Sequence, residues 1–388
     1  MDRREFLQAS LAGVLAAQLT DKTLFAQAQQ AANPLKVAID SRHLQWLRTA
    51  EEVADAVNEI GYAGVSATVQ PFPGHIDPAK AGTDLAPFVT TLRKRGLQVV
   101  AMSCPIVDAD SPNAETILAA AHSAGLTHYA WDSFHYEEGK PIQAQLDALK
   151  PRVEKLAKLN EKYRMKAMYR ASAGSANVGA AVWDFLSVLR NFSPEFVSFQ
   201  FDSGQMALAG GGGTWALNLK AAGPYIGGVS LSDGVLETTF VVKGGGPFTG
   251  PPAPAGGRGR GGRGASGGAG GFGGVPGEDF AAGGGAGGRG GGRGGGAAAA
   301  GGVRGAVSAP PWRDRPVPLG TGMANLSLMG GILKEMNFSG PVEVQALYPN
   351  GGAEAGADHL SLPRELVTGA MKRDLLSVRA AWASSGLL

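Results

Sequence analysis

The chemistry-bearing side chains of this chain gather at the ends of short apolar runs. Asp40, Arg42 and His43 follow Leu35–Ile39, His75 follows the run ending at Thr68, and Ser103 and Cys104 close Val99–Met102. Asp132 and His135 follow Thr127–Trp131, Arg170 ends Met165–Tyr169, and Asp202 ends Phe196–Phe201 with Gln205 three residues on. Ser230 and Asp233 lie in and just after Tyr225–Leu231, and Gln345 lies within Val342–Leu347. Carboxylates and imidazoles at such positions can exchange protons, which makes His75, Asp132 and Asp202 the candidate acid–base groups. Arg170 can grip an anion with its planar fork, either Asp202 or a ligand carboxylate. Gln205, Ser230, Asp233 and Gln345 would contact substrate. The bland alternative for each is a loop residue or a structural hydrogen bond. It weighs least on His75, which Gly74 and Pro78 bracket, and more on His43 and His135. Cys104 has no sequence-local base and reads as buried packing.

The elements that carry these residues recur at a steady interval. Strand-like runs begin near residues 35, 63, 98, 127, 166, 196, 226 and 341. Between them lie helical patterns: Val53, Val57 and Ile60 behind a capping box at Thr49–Glu52, with Gly61 as stop, then Leu85, Phe88, Val89 and Leu92 with Gly96 as stop. Strands alternating with helices at about 30 residues per unit call for parallel strands and crossover helices. Eight such units predict an α/β fold of the (β/α)8 TIM-barrel type, a single domain over residues 35–388. An open doubly wound sheet is the competing reading. No glycine-rich phosphate loop follows the first strand, where Asp40-Ser41-Arg42-His43 stands instead.

Two segments stand apart from that rhythm. Arg3-Arg4 precedes the short apolar run Ala9–Ala17, and Ala26-Gln27-Ala28 offers a cleavage site. Residues 1–28 therefore read as a twin-arginine export signal, which places the mature protein in the periplasm or outside the cell. The run falls short of the about 20 apolar residues that a membrane anchor needs. Glycine is 60 of the 388 residues, and much of it sits in a Gly/Arg-rich stretch over 244–309. That stretch has almost nothing to bury and reads as a flexible loop leaving the carboxyl face after the seventh strand. A formal charge of +2 gives no case for nucleic acid, and a lone cysteine excludes disulfides and thiolate metal sites.

Several motifs together resemble the xylose isomerase-like TIM barrels, known as sugar phosphate isomerases and epimerases. They are Gly61-Tyr62-Ala63-Gly64-Val65, Phe201-Asp202-Ser203-Gly204-Gln205, Val229–Asp233 and Pro318–Met323. Gly74-His75-Ile76-Asp77-Pro78, Ala167-Met168-Tyr169, Trp183-Asp184 and Gly351–Gly356 are similar to an exported branch of that family. The resemblance covers 35–243 and 310–386. It implies proton transfer beside a carbonyl of a small carbohydrate or polyol, assisted by Mn, Mg or Zn held at the ends of the last four barrel strands. Most positions that match those ligands carry other residues: Arg170, Gln205, Ser230, Gln345 and Leu347, with Asp202 retained. No metal cofactor is therefore expected. Two readings stay open: an exported sugar isomerase or epimerase using a relocated site, and a non-catalytic barrel that binds a carbohydrate or a partner. Oligomeric state is not legible.

Overall fold

The computed structural model of the chain describes residues 35–238 and 312–388. The export signal and the Gly/Arg-rich stretch expected from sequence both lie outside the described residues. Eight parallel strands close into a barrel: β1 (Val37–Asp40), β2 (Gly64–Thr68), β3 (Gln98–Ser103), β4 (His128–Trp131), β5 (Lys166–Arg170), β6 (Val197–Asp202), β7 (Ile226–Leu231) and β10 (Val342–Val344). Each begins within two residues of the position the spacing predicts. The ring closes where β1 pairs with β10, Val37 opposite Val342 and Ile39 opposite Val344.

Among the described residues, eight α-helices surround the barrel: α1 (Ala50–Ile60), α2 (Ala81–Lys94), α3 (Ala114–Ser123), α4 (Ile142–Tyr163), α5 (Trp183–Leu189), α6 (Ser203–Ala222), α7 (Leu326–Glu335) and α8 (Arg364–Trp382). The apolar faces predicted for α1 and α2 are the buried ones: Val53, Val57 and Ile60, then Leu85, Phe88, Val89 and Leu92. Thr49 Oγ1 accepts the Glu52 N–H and Glu52 answers the Thr49 N–H, completing the capping box. Gly61 then ends α1 with φ at 100°, a conformation costly for any side chain that carries a Cβ. In α6 the helix is interrupted at Gly211 (φ 59°, ψ 172°). None of the described helices is long and apolar enough to cross a membrane.

Strand alternation divides the barrel into two chemistries. Outward-facing Trp131, Tyr169 and Phe199 pack with Phe134 and Phe185 of the surrounding layer, with the Tyr169 and Phe185 ring centres 4.1 Å apart. Inward positions mix polar Asp40, Ser66, Thr68, Arg170, Gln200, Asp202, Ser230 and Glu343 with Ala38, Met168 and Gly228.

One element escapes the sequence pattern. β8 (Gly234–Thr238) and β9 (Trp312–Pro316) form a separate two-stranded sheet in the long connection between β7 and α7. Across it, Glu237 pairs with both Arg313 and Arg315. The glycine-rich stretch splits these strands in sequence, which hides their pairing from a reading of local pattern.

Removing the cap should cost what such a cap supplies. Thr49→Ala is expected to lower unfolding free energy by about 1 kcal/mol in urea denaturation, with an unchanged m-value. An unchanged midpoint would show that α1 does not rely on this cap.

Candidate functional site

Three charged side chains from three distant strands converge inside the barrel. Asp40 ends β1, Arg170 ends β5 and Glu343 sits in the middle of β10. Arg170 Nη2 lies 3.8 Å from Asp40 Oδ2 and 3.8 Å from Glu343 Oε1. Both carboxylates are buried, while the Arg170 side chain is 30 % exposed and so faces the mouth. Two amides tie the acids together. Gln345 Nε2 donates to Asp40 Oδ2 and to Glu343 Oε1, each at 2.8 Å, and Gln200 Nε2 donates to Glu343 Oε1 at 2.7 Å. Thr68 Oγ1 and the Arg42 N–H donate to Asp40 Oδ1 at 3.3 and 2.9 Å.

The two acids differ in protonation because their neighbours differ. Burial works against ionising Asp40, but the charge of Arg170 and the N–H groups of Arg42 and Gln345 outweigh it and hold its pKa below the ordinary value. Burial and then the negative charge of Asp40 push the Glu343 carboxyl up to about 7, against the opposing pull of Arg170. Two carboxylates cannot share one cation equally in a low-dielectric interior, so the proton settles on the less supported one. His43 closes the network beyond the carboxyl end of β10. The Ala346 N–H donates to Nε2 at 3.2 Å, so Nδ1–H donates to Ala353 O at 2.9 Å. Burial lowers the pKa of His43 and keeps it neutral.

The residues singled out from sequence divide into those inside the barrel and those beside it. Arg170, Asp202 and Ser230 lie on inward strand positions, Ser230 in register with both Asp202 and Glu343, and Gln345 directly follows β10 with its amide turned to Asp40 and Glu343. The expected pairing of Arg170 with Asp202 does not form. Asp202 Oδ1 instead caps α6, accepting the Gln205 N–H at 2.8 Å and the Ser232 hydroxyl at 2.5 Å, and burial raises its pKa. Gln205 turns its amide oxygen to the Ala173 N–H at 3.1 Å.

Asp233 anchors a loop. Its two oxygens accept the N–H groups of Gly234, Ala324, Gly320 and Gly322 at 2.8–3.0 Å, which ties the chain after β9 to the end of β7. His75 Nε2 faces the carbonyls of Leu44 and Leu47, its ring lies 5.5 Å from Phe88, and burial drops its pKa to about 4. Asp132 is exposed and accepts the Ser133 N–H. His75, Asp132 and Asp202 thus each bond elsewhere and not to one another. Cys104 is buried, and burial pushes its thiol to about 12, as packing requires.

Glu343 is the residue that sequence reading missed. Its signal is the alternation Val342-Glu343-Val344-Gln345, which places Glu343 and Gln345 on one face between two buried valines. Gln200 on β6 carries the same signal between Phe199 and Phe201.

The divalent metal implied by the family resemblance does not fit this donor set. Arg170 already answers Asp40 and Glu343, Gln345 turns N–H groups toward both acids, and the His43 Nε2 lone pair accepts a backbone N–H. Among the described residues no group of three or more His, Cys, Asp or Glu could hold a metal ion.

Residues 54–270 match the family profile of the xylose isomerase-like TIM barrels, and the chain belongs to that family. No curated protein matches it. Among solved structures it is similar to the IOLI protein with a bound zinc atom (11% identity, TM-score 0.55, 90% of this chain and 99% of that one). It is also similar to D-psicose 3-epimerase from Clostridium cellulolyticum H10 in complex with D-tagatose (10%, TM-score 0.55, 90% and 99%). An L-ribulose 3-epimerase follows (11%, TM-score 0.53, 90% and 96%). At these identities the likeness is one of fold.

The raised pKa of Glu343 fixes a pH dependence of stability. The native state keeps this proton up to about 7, whereas the unfolded chain releases it near the ordinary value of 4.5. The contribution is whole below 4.5 and is lost as pH rises through 7. Between about pH 5 and 6.5 the unfolding constant of the wild type should therefore rise by up to about tenfold per pH unit, and the rise should level off above 7. Glu343→Gln should flatten that rise in urea titrations at several pH values. An equal slope in the variant would show that Glu343 does not hold the proton.

Proposed function

We propose that this barrel is a sugar isomerase or epimerase that moves a proton on the carbon beside a carbonyl, with Glu343 as the proton-exchanging group. The observation that carries the reading is a buried carboxyl near pKa 7 beside Arg170, whose Nη2 faces both acids at 3.8 Å without a hydrogen bond to either. A general base works best when its pKa lies near the operating pH, since it is then both available and basic enough. In the proposed step Glu343 takes the proton from the carbon next to the carbonyl. The C–H electron pair becomes the new C=C bond, and the carbonyl electrons move onto oxygen. The resulting enediolate oxygen lies against Arg170, a preorganised cation that needs no proton transfer of its own. The hydroxyl proton on the adjacent oxygen passes to the first oxygen, and Glu343 then returns its proton to the neighbouring carbon as the second carbonyl forms, which yields the isomer. Asp40 stays ionised throughout and holds the guanidinium in place.

Arg3-Arg4 and the apolar run behind it support export through the twin-arginine route, so the substrates in this reading are free sugars met outside the cytoplasm. One observation favours the second reading, a barrel that binds a carbohydrate without turning it over. Glu343 is only 2 % exposed, and its Oε1 already accepts two amide N–H groups.

The test is a panel of free aldoses and ketoses incubated with the purified protein and followed by NMR. Conversion is expected to rise with pH through about 7 as Glu343 ionises. Glu343→Gln should cut turnover by about 10²–10⁴-fold while leaving sugar affinity within a fewfold of wild type. Sugar binding without conversion by the wild type would favour the binding barrel.

A further inference from the structure

The amino-terminal ends of the strands frame a second cavity, on the face of the barrel opposite Arg170. It encloses about 350 Å³ between the starts of β4, β5 and β7 and the turn that follows α7. Lys166 opens β5 and shares its inward face with Met168 and Arg170, so strand rise sets it about 13 Å from Arg170. Met168 stands between the two spaces, fully buried and packed so closely over Gly228 that no Cβ fits there. The Lys166 stem lies along Gly227, where an added Cβ would come within 3.1 Å of its Cδ. An ordinary surface lysine runs out into water, whereas this one is half-buried and lines the cavity.

That ammonium has no counter-ion. Among the described residues it makes no ion pair and no side-chain hydrogen bond, and Glu195, exposed at the surface, acts on it only from beyond ion-pair distance. Burial lowers the pKa of Lys166 accordingly. Its register partner His128 adds no second charge. Burial and then the charge of Lys166 drop the His128 pKa to about 4, and the Thr127 hydroxyl occupies its Nδ1 at 2.8 Å. Pro224, Ile226, Met336 and Phe338 supply an apolar wall. A cation drawn out of water without a partner is costly, and an anion that reached it would recover part of that cost. One cation answers one negative charge, so a phosphate dianion would leave a charge unanswered, while the apolar wall suits hydrocarbon. We propose that this cavity binds a small organic monocarboxylate, its carboxylate on Lys166 Nζ and its hydrocarbon body against Ile226, Met336 and Phe338. The site is independent of Glu343 and of the isomerase reading.

The test is calorimetric titration of the full chain with acetate, butyrate and inorganic phosphate, at neutral pH and constant ionic strength. Butyrate should bind more tightly than acetate, by up to about fourfold for each methylene that enters the apolar wall, and phosphate more weakly than butyrate. Lys166→Met should weaken butyrate binding at least about tenfold, the worth of one charge-assisted hydrogen bond. Its Tm should stay unchanged or rise, because the substitution removes a cation that has no partner. A measurement on the unaltered protein decides the matter even where the variant fails to fold. In amine acetylation followed by peptide mass spectrometry, butyrate should slow modification of Lys166 and of no other lysine. Equal binding of acetate and butyrate, tighter binding of phosphate, or unchanged butyrate affinity in Lys166→Met would each overturn the site. So would a wild type that binds no carboxylate, or one whose Lys166 butyrate leaves unprotected.

Discussion

A guanidinium held between two buried carboxylates governs the interior of this barrel. Arg170 stands at equal distance from Asp40 and Glu343, and one cation cannot fully support two anions in a medium that screens poorly. The neighbours break the tie. Asp40 collects a hydroxyl, a backbone N–H and the Gln345 amide and stays charged. Glu343, between the Gln200 and Gln345 amides, keeps a proton into the neutral range. Removing one member would strand another, which is why buried ion groups of this kind are costly to break singly. The same imbalance leaves a proton-active acid beside a fixed positive charge.

That arrangement depends on barrel closure. Asp40 and Glu343 belong to the strands that meet at the seam, β1 and β10, and Arg170 reaches them from β5. A different device fastens the chain between β9 and α7. Asp233 binds four backbone N–H groups, three of them in the loop before α7, and Asp374 of α8 accepts the Leu319 N–H and the Tyr348 hydroxyl. Burial pushes Asp374 up to about 6, so this outer clamp is also protonated more readily than an ordinary aspartate. Two acidic centres therefore serve separate ends: one fastens the loop, and the other occupies the interior.

The architecture was legible because it repeats. Strand starts, the Thr49–Glu52 capping box and the glycine stops at Gly61 and Gly96 are local signals, and each corresponds to an observed boundary. The site was legible only in part. Arg170 and Gln345 stand out as polar residues at strand ends, where barrel sites form. Glu343 lies inside a strand, and no local rule says which face of a three-residue strand turns inward. Asp40, Arg170 and Glu343 are also far apart in sequence, and only closure brings them together. Asp202 and Asp233 look alike as acids at strand ends, but one caps a helix and the other binds a loop. Sequence does not record what their oxygens will meet.

Catalysis by Glu343 requires that a proton leave carbon inside this barrel. Wild-type protein incubated with a free ketose in D2O, followed by NMR, reads that step without requiring net conversion. Proton exchange through Glu343 predicts deuterium at the carbon beside the carbonyl, entering faster as the pH passes about 7. A sugar that binds yet exchanges no deuterium at any pH would contradict it and leave a carbohydrate-binding barrel.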